Sequence, residues 1–117
     1  MGSWGYAPFD SDDSRWFLYE IEDLVTKKLG KIKLNEYNTT DIIGAVYTLT
    51  QIKKAFGDDF DMIEDTIVHL HDLLIQIEDD KEWFDDWSDP ASMKRSFRKT
   101  RKNFEQAFDE YLMSVIA

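Results

Sequence analysis

The sequence contains no cysteine among its 117 residues. This absence excludes disulfides, thiolate nucleophiles and cysteine-ligated metal sites together. A chain that needs no disulfide suits a reducing compartment, so we expect a cytoplasmic protein.

Long apolar runs are also missing. The chain has no stretch of about 20 apolar residues, so we expect no membrane-spanning segment. It does not open with a basic segment followed by an apolar one, so we expect no secretory signal peptide. Hydrophobic residues make up 43% of the chain and aromatic residues 15%, which is typical of a folded protein. A chain of this length predicts one domain, spanning residues 1–117.

Positive charge is scarce, since 14 Lys and Arg residues oppose 24 Asp and Glu residues for a net charge of −10. The imbalance is uneven along the chain. Residues 58–89 carry thirteen acids and one base, whereas residues 90–104 carry six bases and no acid. An acidic surface repels nucleic-acid phosphates and anionic lipids, so we expect neither direct nucleic-acid binding nor membrane binding. The expected partner is a basic protein; the oligomeric state is left open.

The apolar periodicity is helical throughout and predicts an all-α, single-domain bundle of four main helices. We predict these helices over residues 11–29, 40–56, 59–79 and 90–116. Gly30 and Gly57 are expected to end the first two helices. Asp89 is expected to cap the last helix, with Pro90 at its first position.

Each predicted helix has an apolar stripe that we expect to face the core. In the first helix the stripe is Phe17, Ile21, Leu24 and Lys28, widened by Leu18 and Val25. In the second it is Ile42, Ala45, Val46, Leu49, Ile52 and Phe56. In the third it is Phe60, Ile63, Ile67, Leu70, Leu74 and Ile77. In the last it is Met93, Phe97, Phe104, Phe108, Tyr111 and Val115.

An acidic row is predicted on the back of the third helix. At about 100° per residue, five aspartates fall within about 60° of arc, opposite the apolar stripe: Asp58, Asp61, Asp65, Asp72 and Asp79. Val68 and Ile75 lie beside this row, one heptad apart. They indicate either an interface or burial by a neighbouring helix.

The first ten residues precede the first helix but are too apolar for a linker. We expect residues 1–10 to form a capping leader, with Trp4 and Phe9 covering the end of the bundle. Gly2 and Gly5 would let the backbone turn closely, and Pro8 would stiffen the approach to the helix.

The opening stretch MGSWGYAPFDSDDSRWFLYEIE resembles that of a family of small, uncharacterised bacterial proteins catalogued as a domain of unknown function. The N-termini of that family read approximately M-G-x-W-G-x-G-P-F-D-N-D-x-A-x-D-W. The matching residues are Met1, Gly2, Trp4, Gly5, Pro8, Phe9, Asp10 and Asp12, with Trp16 near the second tryptophan of the family. Ala7, Ser11 and Ser14 depart from the pattern. The resemblance covers about the first 20 residues and implies that Met1 is the native start and that the leader belongs to the fold. It implies no activity.

Motifs for catalysis or cofactor binding are lacking. The sequence contains no phosphate-binding loop, no nucleophile elbow and no zinc-protease motif. His69 and His71 have the spacing of a metal pair, but residues two apart on a helix point in opposite directions. Only Asp65 and His69 share a face, and two ligands do not make a metal site. We therefore expect a protein without enzymatic activity, cofactor or metal, whose carboxylates form a solvated face.

The stretch EDDKEWFDDWSD, residues 78–89, places large rings among acids. Trp83, Phe84 and Trp87 combine rigid apolar anchors with a negative field, the composition of a hot spot for a basic partner. The alternative is that these rings cover the end of the bundle. Because acids flank both tryptophans, we predict that at least one of them is substantially accessible to solvent.

Six bases occupy the first half of the last helix: Lys94, Arg95, Arg98, Lys99, Arg101 and Lys102. Their position opposes the helix dipole, so local helix stability does not explain them. They pair either with acids of the third helix and its following turn or with an acidic partner.

These observations favour a small acidic binding or inhibitor protein of the bacterial immunity-protein or antitoxin type, which neutralises a basic effector. The alternative is a phage-type nucleic-acid mimic or anti-defence protein that blocks a host DNA-binding defence enzyme. The predicted partner-binding residues are Asp61, Asp65, Asp72, Asp79, Glu82, Trp83, Asp85, Asp86 and Trp87.

Overall fold

The computed structural model describes the backbone of residues 12–116 and the side chains of residues 15–113. The helices are α1 (Asp12–Leu29), α2 (Thr39–Phe56), α3 (Glu64–Glu78), α4 (Lys81–Asp85), α5 (Pro90–Ala107) and α6 (Asp109–Ile116), with a 3₁₀ turn over Gly57–Asp59. The described residues contain no strand, so the predicted all-α bundle is confirmed. The predicted leader, residues 1–10, lies outside the described residues.

The glycines after the first two helices occupy the positions expected of them. Gly30 donates its N–H to the carbonyl of Thr26 at 2.9 Å. A side chain at Gly30 would place its Cβ 2.6 Å from that same carbonyl oxygen, so the close turn requires glycine. Gly57 has a φ of 56°, a left-handed conformation that favours glycine, and it closes the last turn of α2.

The third helix begins five residues later than predicted, at Glu64 rather than at residue 59. After the 3₁₀ turn, Phe60 adopts an extended conformation with a ψ of 96° and is fully buried. Ile63 is also extended, and it is 56% exposed instead of facing the core. The segment from Phe60 to Ile63 is therefore a connection that inserts one ring into the core, not a turn of helix.

The last predicted helix is divided at Phe108. This residue has a φ of −112° and a ψ of 32°, and α6 begins at the next residue. The Phe108 ring is fully buried and packs between Phe104 and Tyr111, with ring centroids 5.1 and 5.6 Å away. The break lets α6 pack against α3, where Leu112 is also buried.

The core lies where α2, α3 and α5 meet, with contributions from the other helices. Its buried members are Leu18, Ile42, Val46, Leu49, Phe60, Met62, Ile67, Leu70, Leu73, Leu74, Ile77, Phe84, Phe97, Phe104, Phe108 and Leu112. Most of the predicted stripes of the second, third and last helices are in this set or packed against it. Their spacing therefore identified the correct faces of these helices.

The predicted face of α1 is right only in part. Leu18 is the buried apolar residue among the described side chains of this helix, whereas Phe17 and Leu24 are 61% and 55% exposed. Ile21 and Val25 are partly buried against the core, and the side chain of Glu22 is buried on the same helix. Because α1 has large apolar residues on almost every side, its periodicity alone does not select the face that packs.

Among the described residues, no helix is both long enough and apolar enough to cross a bilayer.

Candidate partner-binding surface

The short helix α4 presents the acidic and aromatic residues of the 78–89 stretch. Asp80 caps it by accepting the N–H of Trp83 at 3.2 Å. Phe84 is 1% exposed and packs edge-on against Phe97 of α5, with ring centroids 5.6 Å apart. The Nζ of Lys94 lies 5.8 Å from the centroid of the Phe84 ring. One buried ring and one cap thus hold this five-residue helix against α5.

Two tryptophans extend this packing from the core to the surface. Trp83 lies 5.0 Å from Phe84 and 5.6 Å from Trp87, centroid to centroid, and both contacts are edge-on. Trp83 is half-buried and packs against the core, whereas Trp87 is 42% exposed. The prediction that at least one of these rings is substantially accessible is confirmed.

The carboxylates around these rings lie at the surface. Asp79, Glu82, Asp85 and Asp86 are exposed, and none of them forms an ion pair with a lysine, arginine or histidine in the described part of the chain. We use the name α4 surface for Glu82, Trp83, Asp85, Asp86 and Trp87. It combines two rings, one of them accessible, with three unneutralised negative charges.

A groove adjoins the α4 surface and includes residues that the sequence did not indicate. It has a volume of about 520 Å³ and lies between α4 and the connection from α1 to α2. Its lining includes Glu82, Trp83 and Asp86 on one side and Leu34, Asn35 and Glu36 on the other. The two sides are separated by more than 40 residues along the chain, so only the packing of the helices brings them together.

Asp61 lies apart from the α4 surface and already has partners. Its backbone N–H donates to Oε1 of Glu22, and its Oδ1 accepts the Tyr111 hydroxyl at 2.8 Å. Asp61 therefore links α1 to α6 through the segment that precedes α3. The predicted acidic row on the third helix is wrong at Asp58 and Asp61, because neither residue lies on α3.

Asp65 and Asp72 border a second groove, which has a volume of about 770 Å³ and lies between α3 and α5. Val68 and Ile75 form its apolar part, and Ile75 is 37% exposed. Asp72 accepts a hydrogen bond from the Gln76 side chain at 2.8 Å. Asp65 and Asp72 therefore border a different groove from the one that the predicted residues on α4 border.

The two histidines have different partners, as their spacing predicts. Nε2 of His69 hydrogen bonds with the carbonyl of Ile32, whereas Nε2 of His71 lies 3.0 Å from Oε2 of Glu105. His71 is 4% exposed, so the Glu105 carboxylate satisfies a buried ring nitrogen. Within the described residues no group of three or more histidines or acids is placed to hold a metal ion.

Of the six bases of α5, Lys94 lies near the Phe84 ring, and the other five are divided between two uses. Arg98 and Arg101 pair with Glu78 of α3, at 3.5 and 3.3 Å. Arg95, Lys99 and Lys102 are exposed and form no ion pair with any described residue. The interpretation that these bases pair within the chain therefore holds for two of them and not for the cluster as a whole.

Comparison of the chain with protein-family models, with curated protein sequences and with solved structures finds no match.

Proposed function

We propose that this protein is a small acidic binding protein, without catalytic activity of its own, that neutralises a basic protein effector in the manner of a bacterial immunity protein or antitoxin. The observation that carries the proposal is Trp87, a ring that is 42% exposed beside carboxylates that form no ion pair with any described residue. Such a ring is a typical anchor for a partner, and such carboxylates favour a basic one.

The packing of the Trp87 ring supports this role. Its ring packs edge-on against Trp83, and Trp83 in turn packs against the buried Phe84. A ring held in this way loses little side-chain entropy when a partner covers it, because its position is already restricted. The exposed part of Trp87 is then apolar area available for burial in the complex.

The charges around Trp87 support a basic partner. Glu82, Asp85 and Asp86 lie within five residues of one another and are exposed at the surface. A cation brought by a partner would meet carboxylates that need not first leave an internal ion pair. Opposite charges of this kind mainly accelerate association and select the partner.

Mimicry of nucleic acid has less support. A mimic needs carboxylates that follow the regular spacing of phosphates along a strand. Asp58 and Asp61 precede α3, and Asp61 is held by Tyr111, so the acidic row is interrupted where it was predicted to begin.

The first experiment identifies the partner and tests the α4 surface together. The immobilised protein captures proteins from a lysate of its native host, in parallel with Trp87→Ala, with the double variant Asp85→Asn/Asp86→Asn, and with Tyr47→Ala as a control. Tyr47 is 55% exposed on α2 and controls for the loss of an exposed ring elsewhere. The captured protein is then purified for affinity and activity measurements.

We expect a basic protein that the wild type and Tyr47→Ala retain and that the two α4 variants lose. Trp87→Ala should weaken binding by more than about 2 kcal/mol while changing the free energy of unfolding by less than about 1 kcal/mol. Inhibition of the captured protein's own activity would support the immunity role. Displacement of that protein by double-stranded DNA would support mimicry instead, and equal capture by all four proteins would exclude the α4 surface.

A further inference from the structure

The largest set of exposed apolar side chains on one helix lies on α1, and the proposed function does not use it. Trp16, Phe17, Tyr19 and Leu24 are 66%, 61%, 54% and 55% exposed. At about 100° per residue, Trp16, Phe17 and Leu24 fall within about 100° of arc, and Phe17 and Leu24 lie about 80–120° around the helix from Leu18 and Val25. Apolar patches of this kind on a folded chain mark interaction sites.

We propose that this face of α1 binds the same face of a second copy of the chain, with the two helices antiparallel. The sequence of α1 favours a second copy as the partner, because complementary residues lie at equal distances on either side of the midpoint between Glu20 and Ile21. A two-fold axis at that point places residue i against residue 41−i of the other copy. Phe17 of each copy then meets Leu24 of the other, so this exposed pair is covered twice in the dimer.

The charges of α1 select the antiparallel direction. Its first turn carries Asp12 and Asp13 in the sequence, and its last turn carries Lys27 and Lys28. The same two-fold axis brings Asp13 of each copy opposite Lys28 of the other. Lys28 is exposed and forms no ion pair within the described chain, whereas Lys27 is already paired with Asp23 at 2.9 Å. A parallel arrangement would instead oppose like charges at both ends.

Two features limit the strength of this dimer. An 18-residue helix is about 27 Å long, and one helix pair buries less than the roughly 800 Å² per partner of a standard interface. Glu20 lies beside the axis, so the two copies bring their Glu20 carboxylates close together. We therefore expect dissociation in the micromolar range, with association that depends on protein concentration.

Sedimentation velocity of the full chain, from low to high micromolar concentration, tests the dimer. We expect a shift from monomer to dimer across this range in the wild type. Leu24→Lys should abolish the shift without lowering the melting temperature, because Leu24 is exposed in the free chain. Met113→Lys is the control, since it places the same charge on a residue of α6 that is 60% exposed, and it should dimerise as the wild type does.

A charge exchange tests the antiparallel register. Lys28→Asp should weaken the dimer at least tenfold, and Asp13→Lys/Lys28→Asp should restore it, because the exchanged pair forms again across the axis. Glu20→Gln should strengthen the dimer by removing the repulsion at the axis.

Three results would overturn the proposal. A protein that stays monomeric at every concentration, and whose melting temperature falls in Leu24→Lys, would show that its own chain covers this face. Dimers that resist Leu24→Lys would place the contact elsewhere. If Asp13→Lys/Lys28→Asp does not restore the dimer affinity that Lys28→Asp lowers, the antiparallel register is excluded.

Discussion

At the scale of single residues, Glu22 is a carboxylate that is largely removed from solvent. It lies on the side of α1 that faces the core and accepts the backbone N–H of Asp61. Burial raises the pKa of Glu22, and the nearby Asp61 carboxylate adds to this effect. The hydrogen bond from Asp61 and the charge of Lys53 act in the opposite direction but are outweighed.

Glu22→Gln should therefore stabilise the protein at pH 7. A carboxyl with a raised pKa binds protons more readily in the folded state, so its contribution to stability is present below its unfolded pKa. That contribution is lost as the pH rises through the folded pKa. Glutamine keeps an oxygen for the Asp61 N–H and carries no charge. Thermal unfolding should show a higher melting temperature than wild type at pH 7 and little difference at about pH 4.

Glu36→Gln is the matched control, since Glu36 is exposed. Its melting temperature should not exceed that of the wild type at pH 7 in the way expected of Glu22→Gln. A Glu22→Gln protein that is less stable than the wild type at pH 7 would contradict the prediction, because it would show that the charge of Glu22 strengthens its bond to Asp61.

At the scale of helices, the sequence predicted the existence of the helices and most of their buried faces better than it predicted where the helices begin and end. The end of α2 follows from Gly57, and the start of α5 follows from Asp89 and Pro90, which act through local backbone chemistry. The Asp89 carboxylate accepts the N–H and hydroxyl of Ser92, and these bonds lower its pKa. Such local signals are readable in a single sequence.

The breaks in the two longer predicted helices could not be predicted from the sequence. Phe60 and Phe108 fit the apolar period of their helices, yet each has a non-helical conformation and a fully buried ring. The packing of other helices around these rings outweighs the local preference for helix. Neither site has a proline or glycine to mark the break at the residue itself.

The contact between α3 and α5 gives a prediction at this scale. Glu105 satisfies the buried His71 at 3.0 Å and pairs with Arg101 at 3.3 Å. Glu105→Ala leaves the His71 ring nitrogen buried without a partner, at a cost of about 1–3 kcal/mol. Glu105→Gln keeps an acceptor for His71, so it should lose less. Urea unfolding of both variants measures the difference.

Glu110→Ala provides the control for Glu105, because Glu110 is exposed and forms no ion pair with a described residue. Equal losses in Glu105→Ala and Glu105→Gln would show that the charge pair with Arg101, and not the bond to His71, stabilises this contact.

At the scale of the whole molecule, the sequence predicted the α4 surface only in part. The acidic and aromatic composition of residues 78–89 pointed to Trp83 and Trp87, and the exposure of Trp87 agrees with that reading. The separation of Asp61, Asp65 and Asp72 from this surface depends on where α3 begins and on which helices flank it. The groove residues Leu34, Asn35 and Glu36 depend on tertiary packing alone, and no local signal marks them.

The net charge of −10 gives the last prediction, because it concerns the molecule as a whole. Unpaired carboxylates repel one another in the compact state, whereas few ion pairs offset them. Raising the NaCl concentration from about 0.01 to 0.15 M shortens the screening length from about 30 to 8 Å. The melting temperature should therefore rise over this range. Asp85→Asn/Asp86→Asn should reduce the rise, and Lys99→Gln/Lys102→Gln should enlarge it. A melting temperature that falls with salt would show instead that the ion pairs of Glu78 with Arg98 and Arg101 stabilise the fold more than the acidic residues destabilise it.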